Sequence, residues 1–165
     1  MVKVAFLFQD HDPPIRNGIR KPRNPVGHAD SGADMAYALQ QLGVDIATPI
    51  ANPDVKINHD WVFSDTTQGI QQAIDLGANV FWLNTVLYEG HPIEKFMTPE
   101  YNIQIVGQTT KSCDLWDDKV YANTLLKNNG LHIPSSYIIN VHDMNKLFSI
   151  TKTADGTDSY AITNP

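Results

Sequence analysis

The chain has 165 residues, enough for one domain or for one domain and part of a second. Its 42% apolar and 18% charged residues describe an ordinary folded chain, and a net charge of -6 argues against non-specific binding to nucleic acid. A lone cysteine, Cys113, excludes an intrachain disulfide; the apolar runs are far too short to span a membrane, and no signal-peptide flank precedes "MVKVAFLF", so a cytoplasmic protein with no membrane partner is expected.

Val2 to Phe8 is a nearly continuous apolar run, which predicts a strand buried on both faces. A long connection follows. From Pro13 to Ala29 it carries Arg16, Arg20, Lys21 and Arg23 and no acid, and Pro13, Pro14, Pro22 and Pro25 stiffen it. "DSGADMAYALQQLG" then predicts a helix. Ser31 and Asp34 form its capping box, Met35, Ala38, Leu39 and Leu42 its apolar stripe, and Gly43 its stop. "VDIATPI" reads as a second strand. "SDTTQGIQQAIDLGA" reads as a helix capped between Ser64 and Thr67, with Ile70, Ala73 and Ile74 on its apolar side and Gly77 at its end. "NVFWLN" is a third strand, "EGHPIEKF" a short helix with Pro92 in its first turn, and "NIQIVG" a fourth strand.

This alternation predicts an α/β fold, a mostly parallel sheet flanked by helices. Such sheets bind ligands at the carboxyl ends of their strands, here after Phe8, Leu83 and Val106. Further on, "CDLWDDKVYANTLLKNNGLHIP" predicts one helix ended by Gly130. "SSYIINV" predicts a strand and "HDMNKLFSITK" a short helix, and "YAITNP" starts a strand that looks cut off. The pattern puts the start of a second unit at about residue 112.

Several features could carry chemistry. Asp118 and Lys119 lie toward the apolar side of their helix by spacing, so Lys119 either snorkels at the edge of the stripe or reaches a phosphate from a cleft. The tip "LNTVLYEGHPI" groups Asn84, Thr85, Glu89 and His91; it is either a capped surface loop or a helix N-terminus suited to an anion. The basic loop is either solvated or a clamp in which Arg16, Arg20 or Arg23 meets a carboxylate or phosphate. "QDHD" at 9–12 is a short acidic tip that could chelate an ion. The six histidines fall at no tight metal-ligand spacing, and GxSxG, P-loop and GxGxxG patterns are absent.

Four stretches together resemble the ATP-grasp superfamily, in its D-alanine–D-alanine ligase-like branch. "VKVAFLF" resembles the opening strand, and "SGADMAYALQQLGVDI" the first helix and second strand. "FWLNTVLYEGHPIEKF" is similar to a strand–loop–helix reading roughly L-H-G-x-x-G-E-x-G-x-I-Q. The most specific stretch is "YNIQIVGQTTKSCDLWDDKVYANTLLKNNGLHIPSSYII", with its DK pair and G-[IL]-x-[IV]-P turn.

The resemblance implies a substrate-side, Rossmann-like (pre-ATP-grasp) domain at 1–108, then a linker helix and the start of an ATP-grasp domain at 109–165. It implies ATP and Mg²⁺ as cofactors and a carboxylate activated as an acyl phosphate for attack by an amine. Lys119 matches the lysine that reaches ATP phosphate. Substrate contacts would come from Arg16, Arg20, Arg23, Ser31, Asn84 and Glu89, and the substrate would be a small carboxylate or amino acid. A homodimer is among the partners the resemblance implies.

Three departures accompany it. The family's acidic E-x-E-V-S stretch is "NPVGHADSG" here, so D-alanine is not the expected substrate, and the basic loop would rebuild that end of the site for something more anionic. Asn84 stands where the histidine of L-H-G would be. "YAITNP" either puts Asn164 in place of a second ATP-binding lysine or falls just short of it. The glycine-rich lid, the adenine-binding segment and the Mg²⁺ ligands would all follow, so the chain alone is expected to be an inactive, truncated ligase with no catalytic or metal-ligating residue of its own. The alternative from another class is a stand-alone α/β domain that binds a small anion without catalysis.

Overall fold

Every residue of "VAFLF" is apolar because both faces of this strand are covered. The structure, a computed structural model, describes residues 2–16 and 19–134. The strand β1 (Val4–Phe8) is buried along its whole length in a four-stranded, all-parallel sheet. Its alternate residues enter two cores, as the two-residue period of a strand requires. Ala5 and Leu7 pack with Phe63, Ile70, Phe81 and Ile93 on one face, while Val4, Phe6 and Phe8 pack with Ala29, Ala33, Ala36 and Trp61 on the other.

In the basic connection the chain forms a small antiparallel hairpin, β2 (Ile15–Arg16) with β3 (Ile19–Arg20). Helix α1 (Pro25–Gln41) then begins well before the expected Ser31. Pro25 takes the first helical position, where its missing N–H costs nothing, and the Asn24 side chain accepts the Gly27 amide at 3.1 Å. The Ser31/Asp34 capping box is therefore not formed. Ser31 lies inside the helix, and its hydroxyl donates to the Gly27 carbonyl at 2.8 Å.

The packed side of α1 also differs from the expected stripe. It is made of Ala29, Gly32, Ala33 and Ala36, with Met35 and Leu39 at the margin, while Leu42 is exposed. These small residues let the helix lie close on the sheet. A Cβ at Gly32 would come within 3.0 Å of Val62 Cγ1 and 3.3 Å of Asn84 Nδ2. At the far end Gly43, with φ +86°, stops the helix as expected.

"VDIATPI" does not form a strand. It touches the sheet through one bridge between Val4 and Ile46, and Pro49, which lacks an N–H, comes soon after. The edge beside β1 is taken by β4 (Phe63–Ser64). Next, α2 (Thr67–Asp75) is capped by Thr66, buries Ile70 and Ala73, and ends before Gly77, as predicted. The strands β5 (Val80–Asn84) and β6 (Gln104–Val106) match the third and fourth predicted strands. Between them "HPIEKF" forms a short 3-10 helix, Pro92–Phe96. The sheet order is β4-β1-β5-β6.

The chain divides into two units, Met1–Cys113 and Asp114–Pro165. The helix predicted over 113–130 is two helices, α3 (Thr110–Asp117) and α4 (Lys119–Asn128). Asp118 breaks them apart because its carboxylate accepts the amides of Val120 (2.9 Å) and Tyr121 (3.0 Å), which makes it an N-cap instead of an interior residue. No residue of α4 is buried. The strand, helix and terminal strand expected beyond residue 134, with Asn164, lie outside the described residues. Among the described residues no helix is long and apolar enough to cross a membrane.

Candidate polar site at the strand tips

From β1 the chain passes through α1 to β4 on one side of the sheet, then through α2 to β5 on the other. The two crossings cover opposite faces, so the connections leaving the paired strands β1 and β5 diverge at their carboxyl ends. That is the switch point where open parallel sheets hold ligands. Register brings Phe8 level with both Ser64 and Asn84, so the residues just past these strands meet there.

Asp65, directly after β4, is fully buried and is the centre of this region. Its Oδ1 accepts the amides of Asp10 (2.9 Å) and His11 (2.7 Å), and its Oδ2 accepts the Thr85 hydroxyl (2.5 Å). The His91 ring completes the shell, with Nε2 3.3 Å from Oδ2. Nδ1 of His91 accepts the Ile93 amide at 3.2 Å, so the ring's proton is on Nε2, which donates to Asp65. Burial alone would push the Asp65 carboxyl up. The hydrogen bonds from His91, Thr85, Asp10 and His11 outweigh it and hold the group below the ordinary carboxylate value. Asp65 is thus an ionised hub with each oxygen doubly occupied.

Other polar atoms near the strand tips are incompletely used. Gln9 is 1% exposed, and its Oε1 accepts the Asn24 amide at 2.9 Å. That bond orients the carboxamide and leaves Nε2 buried with no partner in the protein. His28, in the first turns of α1, has Nδ1 buried without a partner, and so does the hydroxyl of the buried Tyr88. Tyr88 lies between the rings of His11 and His91, with centroids 6.3 and 5.2 Å away. Burial, and then the charge of Asp65, push its phenol above the ordinary value. Burial lowers the affinity of His28 for a proton, while the charge of Asp65 pulls the other way.

Of the residues singled out in the sequence, Ser31 and Asn84 are brought together. Asn84 Nδ2 donates to the Ser31 hydroxyl (2.9 Å) and to the His28 carbonyl (2.6 Å), tying β5 to α1 beside the site. Thr85 and His91 belong to the Asp65 shell, whereas Glu89 is exposed in the same loop. The 3-10 helix offers no anion site at its start: it has five residues, and the ring of His91 takes its Ile93 amide.

The basic loop turns out to be paired with acids that precede it. Arg20 Nη1 is 3.0 Å from Asp12 Oδ2. Arg23 donates to the Asp10 carbonyl at 2.9 Å and lies 3.6 Å from the Asp10 carboxylate and 3.8 Å from that of Asp12. Both pairs are about half exposed. Arg16 ends β2. The acidic tip at 9–12 therefore faces guanidinium groups, and among the described residues no three His, Cys, Asp or Glu side chains gather to hold a metal. Lys119 is exposed at the head of α4, in the second unit.

Sequence reasoning missed Asp65, Gln9, His28 and Tyr88. "SDTT" reads as a helix cap, although an acid two residues after the apolar "WVF" is the signal of a charged residue at a strand tip. Gln9 and Tyr88 lie inside "QDHD" and "LNTVLYEGHPI", whose candidate chemistry rests on neighbouring residues, and His28 stands in "NPVGHADSG" with no role of its own in the sequence. In comparisons with known proteins, no family model, no curated protein and no solved structure matches the chain.

Proposed function

We propose that the chain is the amino-terminal, substrate-side part of an ATP-dependent carboxylate–amine ligase, and that its first unit holds a small carboxylate-bearing substrate at the tips of β1 and β5. One observation supports the binding half: Gln9 Nε2, just past β1, His28 Nδ1, in the first turns of α1, and Tyr88 Oη, in the loop after β5, are buried, polar and unpartnered. Buried polar groups nearly always have partners, and each one left without costs about 1–3 kcal/mol. A bound ligand accounts for this group of atoms. Gln9 and Tyr88 offer hydrogens, which suits the oxygens of a carboxylate.

The ligase half is supported by the resemblance of the DK segment and its flanks. Lys119, an exposed ammonium, has the chemistry to meet an ATP phosphate as a point charge. ATP, when bound, would supply the phosphoryl group that activates the carboxylate. Mg²⁺ finds no ligand set among the described residues, and no step is assigned to it. The work left to this chain is to bind and orient the substrate. In the alternative, a stand-alone binder clamped by the basic loop, Arg20 and Arg23 would have to give up Asp12 and Asp10.

Calorimetry of the full chain separates these readings. Succinate and L-glutamate are expected to bind, with affinity reduced about tenfold in Tyr88→Phe, equivalent to about 1.4 kcal/mol. Heat from MgATP is expected to vanish in Lys119→Ala. Carboxylate binding lost in Arg20→Ala but untouched in Tyr88→Phe would replace this proposal with the loop-clamp reading.

A further inference from the structure

The inference that follows rests on the proposed carboxylate site and concerns how that site balances charge. Asp65 is an ionised carboxylate surrounded by two amides, a hydroxyl and a ring that carries its one proton on Nε2. A second carboxylate entering beside it would place two like charges in a region of low dielectric, where neither is screened. Some nearby group must compensate. Arg20 and Arg23 are engaged with Asp12 and Asp10 on the exposed loop.

His28 is the ring with a nitrogen to spare. Its backbone amide donates to the Asn24 carbonyl at 3.1 Å in the first turn of α1, and the Asn24 amide donates to Gln9 Oε1 at 2.9 Å, so Asn24 joins the Gln9 side chain to the helix turn that carries His28. The Asn84 amide grips the His28 carbonyl and fixes this part of α1 to the tip of β5.

We propose that His28 takes up a proton from solvent when a carboxylate binds beside Gln9, and that the resulting imidazolium offsets the ligand's charge. The elements around α1 carry few other candidates. Asp10 is drawn to Arg23, Asp60 accepts the Asp54 amide, Asp30 accepts the Asn58 side chain, and His59 packs on the ring of Phe8. β5 contributes no ionisable group. Asp65 is the charge that acts on the His28 ring. Burial holds down the ring's affinity for a proton; a second negative charge nearby would add to the pull of Asp65 and work against burial.

The test is titration of the full chain with succinate and L-glutamate at pH 7.5, in buffers of different ionisation enthalpy. The expected result is uptake of about one proton per ligand bound, with affinity falling about tenfold per pH unit between the free and bound midpoints of His28. His28→Asn is expected to abolish the uptake. Should that variant fail to fold, the imidazole resonances of the wild-type chain decide: the His28 ring is expected to move to its imidazolium position at saturating succinate. Binding without uptake, uptake that persists in His28→Asn, or a ring that stays neutral overturns the inference and leaves the carboxylate site standing. No binding of either carboxylate overturns both.

Discussion

Asp65 and Gln9 are both buried and both follow a strand at the same edge of the sheet, yet their polar atoms are used in opposite ways. Asp65 has four donors on two oxygens, supplied by three separate segments of the chain. Gln9 has one bond on its oxygen and none on its nitrogen, and the same is true in kind of His28 and Tyr88 nearby. A saturated buried group holds structure together. An unsaturated one costs stability, which folding alone does not explain. The contrast divides the strand tips into a part that fastens the fold and a part whose polar atoms are left over, which is where the proposed carboxylate would bind.

The comparison breaks most readily at Asp65. Asp65→Asn would turn an amide donor toward the Thr85 hydroxyl or toward the Asp10 and His11 amides, and is expected to cost about 3–5 kcal/mol in urea unfolding. Next comes Asn84→Ala, which frees the His28 carbonyl and the Ser31 hydroxyl; about 1–2 kcal/mol is expected in the same assay. Tyr88→Phe should act in the opposite sense on stability, raising it by up to about 1 kcal/mol by removing a hydroxyl that has no partner, while weakening carboxylate binding. A Tyr88→Phe variant as destabilised as Asp65→Asn would erase the distinction. The smallest effect belongs to Arg20→Ala. Its pair is half exposed, so less than about 1 kcal/mol is expected, and the effect should shrink further in salt.

Acid should separate the two parts as well. The Asp65 carboxyl titrates below its ordinary 3.8 in the folded chain, so its contribution is complete above that value and is lost as pH falls through the lower folded one. His28 is also lowered, but it is a base. The unfolded chain binds its proton first, and stability declines as pH drops below 6.5 until the folded ring titrates too. Unfolding midpoints followed from pH 8 to pH 3 should therefore fall in two stages. His28→Asn removes the earlier stage and Asp65→Asn the later one.

Much of the sheet could be read from the sequence because β1, β5 and β6 are apolar runs and α2 carries an ordinary apolar stripe. The start of α1 could not. Its packed side is alanine and glycine, which carry little hydrophobic signal, and its Asn24–Pro25 cap was lost inside a proline-rich connection. β4 is two residues long, too short to show a period, and with it went the reason to notice Asp65. The basic loop looked unpaired because its acids, Asp10 and Asp12, precede the window in which the bases were counted. Of the site, Asn84 and Ser31 were legible as polar residues near strand and helix ends. Gln9, His28 and Tyr88 acquire meaning only from burial, which a one-dimensional reading does not supply.

The bare backbone at residue 32 has a consequence of its own. With hydrogen alone facing Val62 and the Asn84 amide, the helix sits as low over the sheet as it can, and Asn84 is the spacer. One methyl group at this position would work as a shim. It would lift the amide that pins the carbonyl of His28 and shift the strand tips from behind, with the added methyl itself facing Val62 and Asn84.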